Sequence, residues 1–396
     1  MAAAAAAAAD RPGRLVSLTG LRFWAAAAVF AFHASFEGVF ADAGVGDAVA
    51  GLFSKAGWAG VSFFFVLSGF VLAWSARPDD PARRFVRRRL ARIYPAHLVT
   101  ALLAFALLAA AGGVAAGEVI PNLLLLQAWS PRLDVFISGN PVSWSLSCEL
   151  LFYLCFPLLW RWLSRVRPSR LWWYAGSVTA AVVAVPLVAG VLPAEPLVSM
   201  PDGTTGLWQY WFVYVLPPVR ALEFVLGILL ARLVREGLWR GPGPVPAAAL
   251  AVVGCGLATR LPYLYGLVAA LVVPLALLIC AVAVRDVDGR GTALTGRTMR
   301  WLGETSFAFY LVHRLVLTYG HQVLGTGRSW STPVAALLLL VAFAVCLLLA
   351  RLLYVAVERP FTRLLGPRPI PTRLANGDLT CPSRSTSGST TSAPSP

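Results

Sequence analysis

The sequence predicts an all-α polytopic membrane protein with about ten transmembrane helices and both termini cytoplasmic. Three observations carry this. The 396-residue chain is 58% hydrophobic and only 13% charged, whereas soluble domains hold about a quarter charged residues. Apolar runs of about 20 residues recur along it, the length that crosses about 30 Å of hydrocarbon. Basic residues cluster between alternate runs.

The expected spans, in order, are 15–37, 57–76, 94–112, 143–160, 172–192, 208–231, 245–262, 264–284, 301–319 and 332–356. The stretch 118–129 is apolar but short, with Pro121 inside, and reads as interfacial or re-entrant. With the N-terminus inside, 25 basic residues fall in cytoplasmic segments and four (Lys55, Arg132, Arg260, Arg328) in outer loops. Arg22, Arg220, Arg314 and Arg351 are intramembrane. A span at 118–129 would invert every later loop and destroy this asymmetry. Residues 15–361 thus form one transmembrane domain. Residues 1–14 and the Pro/Ser/Thr-rich 366–396 are expected to be disordered. Ala2–Ala9 has no basic residue ahead of it and does not read as a signal peptide.

The net charge of +15 is placed by topology, so nucleic-acid binding is not expected. Five of six cysteines (Cys148, Cys155, Cys255, Cys280, Cys346) lie in apolar runs, without Cys-x-x-Cys or Cys/His clusters. Neither a disulfide framework nor a metal site is indicated.

Ionisable groups inside spans are costly and mark candidate sites. Arg22 and His33, eleven positions apart, return to nearly one helical face about 16 Å apart along the axis. His33 is a candidate general base, and Glu37, one turn on, a candidate orienter of its ring. Glu37 reads equally as a solvated residue at the span's end. Arg22 suits an anion, or snorkels to the interface. In the loop Arg83–Pro95, Arg89 and Arg92 share a helical face and could clamp the phosphates of a nucleotide-bearing donor; a basic cluster there also serves topology alone. Ser145, Glu149 and Tyr153 line one face of another span, with Glu149 either catalytic or paired to an arginine. Arg220 and Glu223 read as a structural pair, and His313-Arg314 as packing or interfacial residues.

Together these segments resemble the acyltransferase-3 family of integral membrane acyltransferases. The resemblance runs from about Leu18 to Phe361. It rests on Leu18-Thr-Gly-Leu-Arg22 with His33, on Gly60–Phe70, and on Arg89-Leu-Ala-Arg92 followed by Pro95. Trp144-Ser-Leu-Ser-Cys-Glu149 with Phe152-Tyr153, Trp301–His313 and Val357-Glu-Arg-Pro-Phe361 complete it. The resemblance implies a plasma-membrane enzyme that moves an acyl group, commonly acetyl, from acyl-CoA to a hydroxyl of a carbohydrate, glycan or macrolide-type metabolite, with no permanently bound cofactor. It marks Arg22 and His33 as essential and places Arg89 and Arg92 near the donor. Leu150 stands where a second acid often follows Glu149, which weakens the case for Glu149 as a catalytic group. Whether His33 acts as base or through an acyl-histidine stays open. The rival class is an exporter of a hydrophobic metabolite or glycan. It calls for inverted repeats and matched broken helices; Pro217-Pro218 breaks one span, without a matching partner.

Overall fold

The structure, a computed structural model, describes residues 15–77 and 80–365. The expected disordered segments, 1–14 and 366–396, lie outside the described residues. Helix α1 (Val16–Ser35) is followed by α2 (Ala43–Phe53) and α3 (Ala56–Trp74). Next come α4 (Ala82–Ala110) and two short helices, α5 (Ala116–Leu123) and α6 (Leu133–Phe136). They lead to α7 (Trp144–Leu163) and α8 (Leu171–Ala189). A hairpin of β1 (Leu197–Met200) and β2 (Gly203–Gly206) pairs Leu197 with Gly206 and Met200 with Gly203. Then α9 (Leu207–Tyr210) runs through a π turn at Trp211–Val215 into α10 (Pro217–Arg235). The chain continues as α11 (Pro244–Ala258), α12 (Tyr263–Leu267), α13 (Ala269–Val287) and α14 (Arg297–Gly325). It ends in α15 (Thr332–Leu353), a π turn at Tyr354–Glu358 and α16 (Arg359–Leu365).

Each of the ten expected spans coincides with helix, and eight helical segments are long and apolar enough to cross a membrane. Two do not meet that test. Helix α11 has 15 residues. Helix α14 has 29 residues, but Glu304, His313, Arg314 and His321 dilute its hydropathy. The outer surface is built for lipid: Leu187, Leu340 and Val253 are 68%, 67% and 64% exposed, at positions where water would penalise them. The stretch 118–129 does not span. Helix α5 is only about 12 Å long, and the segment's polar groups are tied inward. Asn122 Nδ2 donates to the Ser138 carbonyl at 2.7 Å, and Gln127 Nε2 to the Ser143 carbonyl at 3.0 Å.

Small residues set the closest helix crossings. A Cβ at Gly69 of α3 would strike the Phe224 carbonyl of α10, and one at Gly227 the Val66 carbonyl. One at Gly303 of α14 would meet the Thr19 carbonyl of α1. Such contacts bring backbones together where no hydrophobic force distinguishes helix from lipid. In this way α1, α3, α10 and α14 form the centre of the bundle. Arg220 and Glu223 lie within it, about 1% exposed, paired at 3.0 Å. Arg220 Nη2 also donates to Ser62 at 3.2 Å, and its guanidinium lies 5.0 Å from the Phe65 ring and 4.8 Å from the Tyr214 ring. The structural pairing expected for these two residues is what the fold contains.

Candidate active site

The supposed loop Arg83–Pro95 is helical and forms nearly the first half of α4, with Pro95 inside the helix. That regularity aims Arg89 and Arg92, three residues apart, at one cleft. Arg22 of α1 and Glu149 and Tyr153 of α7 enter the same cleft, which encloses about 830 Å³ including its open mouth. Tyr153 donates its hydroxyl hydrogen to Glu149 one turn back, so the expected polar face of α7 is realised. Ser145 from the same face contacts the Tyr310 hydroxyl at 3.0 Å. Arg92 faces the buried Glu358 at 3.5 Å. Glu358 lies within the last signature, Val357–Phe361, where a lone acid after an apolar run is its signal and no partner is apparent from spacing.

Arg22 and Arg89 have no carboxylate within ion-pair distance among the described residues. Arg89 instead packs its guanidinium 5.4 Å from the Phe85 ring, and its Nε is buried without a hydrogen-bond partner. Three guanidiniums against Glu149 and Glu358 leave the cleft with a net positive charge. A low-polarity site with unpaired cations favours an anionic ligand. Near Leu72 and Arg89 the cleft adjoins a basic mouth with Arg77, Arg88, Arg161, Arg165 and Trp160. Here Asp80 accepts a hydrogen bond from Arg88 Nη1 at 3.0 Å, and Arg88 holds its carboxyl below the usual carboxylate range.

At its other end, beside Val61 and Tyr310, the cleft meets a second chamber of about 600 Å³ that contains His33. His33 occupies the last turn of α1. Its ring is set by α14 rather than by Glu37. His313 Nδ1 lies 2.7 Å from the Tyr310 carbonyl. A carbonyl only accepts, so that nitrogen carries the hydrogen. In the neutral ring His313 Nε2 is then an acceptor, and it lies 3.1 Å from His33 Nδ1. His33 Nδ1–H therefore donates, shared with the Val29 carbonyl at 3.0 Å. His33 Nε2 is left with a free lone pair.

Two expectations change. Glu37 does not orient His33: its carboxylate pairs with Arg314 and lies 3.9 Å from His321 Nδ1. A carboxylate at the helix end gains more from a guanidinium than from a neutral ring. His313, expected to pack or sit at an interface, is fully buried against His33. The sequence held its signal in an ionisable residue inside a span, but pairing two residues 280 positions apart requires the fold.

A family model described as an acyltransferase domain matches residues 15–351. The chain is 46% identical to Acyltransferase MdmB of Streptomyces mycarofaciens, over 90% of this chain and 93% of that protein. It is 26% identical to the putative peptidoglycan O-acetyltransferase YrhL of Bacillus subtilis (strain 168), over 87% of this chain and 54% of that protein. It is 23% identical to the peptidoglycan O-acetyltransferase OatA of Listeria monocytogenes, over 78% of this chain and 50% of that protein. It thus spans about half the length of these last two. No solved structure matches the chain. The family match runs from the residue before α1 to the last turn of α15, and so takes in the arginine cleft and both histidines: the chain belongs to the acyltransferase-3 family.

Proposed function

We propose that this multi-pass protein transfers an acyl group, acetyl foremost, from acyl-CoA to a hydroxyl of a carbohydrate, glycan or macrolide-type metabolite. The observation that carries this reading is the adjacency of the arginine cleft to the His33 chamber. In this reading the protein lies in the plasma membrane, crosses ten times and keeps both termini in the cytoplasm, so the basic mouth faces the cytoplasmic acyl-CoA pool. The donor's phosphates dock at Arg89 and Arg92, Arg22 draws the anionic end inward, and the thioester arm reaches past Val61 and Tyr310.

His33 Nε2 takes the proton of the acceptor hydroxyl as its oxygen attacks the thioester carbonyl. Collapse of the tetrahedral intermediate breaks the C–S bond. The departing thiolate takes the proton from His33, leaving ester and free CoA. The Val29 carbonyl holds His33 in the tautomer this step needs, and His313 accepts from the ring while it is cationic. Glu149, hydrogen-bonded to Tyr153, shapes the field of the cleft and touches no reacting atom in this scheme.

The test is thioester cleavage by protein purified in detergent, with acetyl-CoA as donor. Wild type releases CoA. Folded His33→Gln loses release by 100-fold or more, on the scale of a positioned proton-transfer group, while still binding acetyl-CoA. Full turnover in that variant overturns the assignment of His33, and no cleavage by wild type favours an exporter.

A further inference from the structure

We propose that the chamber beside His33 takes an uncharged acceptor through an apolar or ring face, and that the β1–β2 hairpin, latched by Asp202, is the wall that selects it. The inference rests on His33 as the acyl-transfer residue and adds the chemistry of the acceptor.

The chamber's lining contains no Asp, Glu, Lys or Arg. Its walls are aromatic and aliphatic: Trp58, Trp144, Tyr210, Tyr214, Phe136 and the hairpin's Met200. Its empty space, open mouth included, is about 600 Å³. A charged group entering it would shed water and find no counterion, at a cost of several kcal/mol. A neutral ring loses little and gains aromatic contact. The arginine cleft next door has the opposite character, so the two compartments sort an anionic donor from a neutral acceptor.

The hairpin supplies Met200 and Pro201 to this wall. It is a two-stranded element, a kind that is marginal by itself in water, and Leu197 is 60% exposed. What fastens it is Asp202, in the two-residue turn at its tip. One carboxylate oxygen accepts from Lys55 Nζ at 2.7 Å and from Trp58 Nε1 at 2.8 Å. The other accepts from Tyr263 Oη at 3.0 Å. The Asp202 side chain is 3% exposed and that of Lys55 7%, so this is a closed latch rather than a solvated pair. Trp58 belongs to both latch and chamber, and its ring meets those of Phe32 and Tyr214 at 5.0 and 4.5 Å. Asp202 is therefore a positioning residue: it sets the acceptor wall without facing the reacting atoms.

The test uses the full chain in detergent with acetyl-CoA and two acceptors that differ in one group, 4-methylumbelliferyl β-D-glucoside and the corresponding glucuronide. Wild type should esterify the glucoside with kcat/KM at least tenfold above that for the glucuronide. Met200→Trp, which fills the chamber, should cut that ester formation tenfold or more. Asp202→Asn should raise KM for the glucoside about tenfold while KM for acetyl-CoA stays within twofold; a merely structural role would move both. Should Asp202→Asn fail to fold, Tyr263→Phe keeps the ion pair and should show the same split at smaller size. Equal use of the two acceptors, preference for the glucuronide, or ester on neither overturns the proposal. Acetyl-CoA cleavage by water, measured without acceptor, reports separately on the acyl-transfer reading. If cleavage is present and the acceptor pattern fails, only the chamber's assignment falls.

Discussion

Replacing His313 with Phe tests the histidine pair directly. Phenylalanine keeps the ring and its packing against Phe30, Phe309 and Tyr310, and removes both nitrogens. The Tyr310 carbonyl lies within α14 and keeps its helical partner, so little stability is lost. His33 Nδ1–H still has the Val29 carbonyl, so its tautomer survives. What disappears is the acceptor at 3.1 Å that shares the cationic ring's hydrogen when His33 holds a proton. A hydrogen bond to a charged group is worth about 1.5–3 kcal/mol. At about 1.36 kcal/mol per decade of rate, kcat should fall about 10- to 150-fold with KM for acetyl-CoA nearly unchanged. His313→Gln, whose amide oxygen can accept from His33, should fall between the two. Steady-state cleavage of acetyl-CoA, with binding measured in parallel, reads both constants. Wild-type kcat in folded His313→Phe, or a loss confined to KM, refutes the reasoning.

Arg89→Ala with Arg92→Ala should raise KM for acetyl-CoA at least tenfold, from about 1.5–3 kcal/mol per lost charge-assisted contact, and an unchanged value in steady-state assays removes the docking role. Gly69→Ala forces a methyl onto the Phe224 carbonyl and should lower the thermal midpoint by the equivalent of about 1–3 kcal/mol. Gly256→Ala, in open space on α11, should be neutral or slightly stabilising; equal midpoints would refute the packing assignment. Arg88 holds the Asp80 carboxyl below its unfolded value, so this pair stabilises the fold above about pH 4 and the contribution is lost as pH falls through the folded value. The pair is partly exposed, so Asp80→Asn should cost under about 1 kcal/mol at pH 7. The difference should vanish in acid, as a pH series of unfolding midpoints would show.

Amphipathic and apolar length were legible one residue at a time, and so were the helices. Lipid replaces water over most of the surface, and a run of about 20 apolar side chains has few other ways to satisfy its backbone. The cost of ionisable groups in that medium marked Arg22, His33 and Glu149 as exceptional, and the i, i+3 spacing beside a span marked Arg89 and Arg92. Four of them meet in one cleft, with His33 in the chamber beside it. The polar turn Ser145–Tyr153 was legible for the same reason, since i, i+4 spacing fixes a shared face.

Partnership was not legible. Glu37 lies one turn from His33 in sequence, yet it pairs with Arg314. His313 and Glu358, on helices far along the chain, take up His33 and Arg92. Local spacing limits which groups can share a face; the crossing of helices decides which they meet, and those crossings depend on bare backbone at Gly69, Gly227 and Gly303. The sequence by itself determined a membrane bundle with costly polar groups in set places. Only the tertiary structure decided that the arginines face one cleft, that the two histidines hydrogen-bond as a pair, and that a hairpin held by Asp202 walls the chamber beside them. The reason is physical: the price of burying a charge is local, while its compensation comes from whichever distant side chain packing brings within about 3 Å.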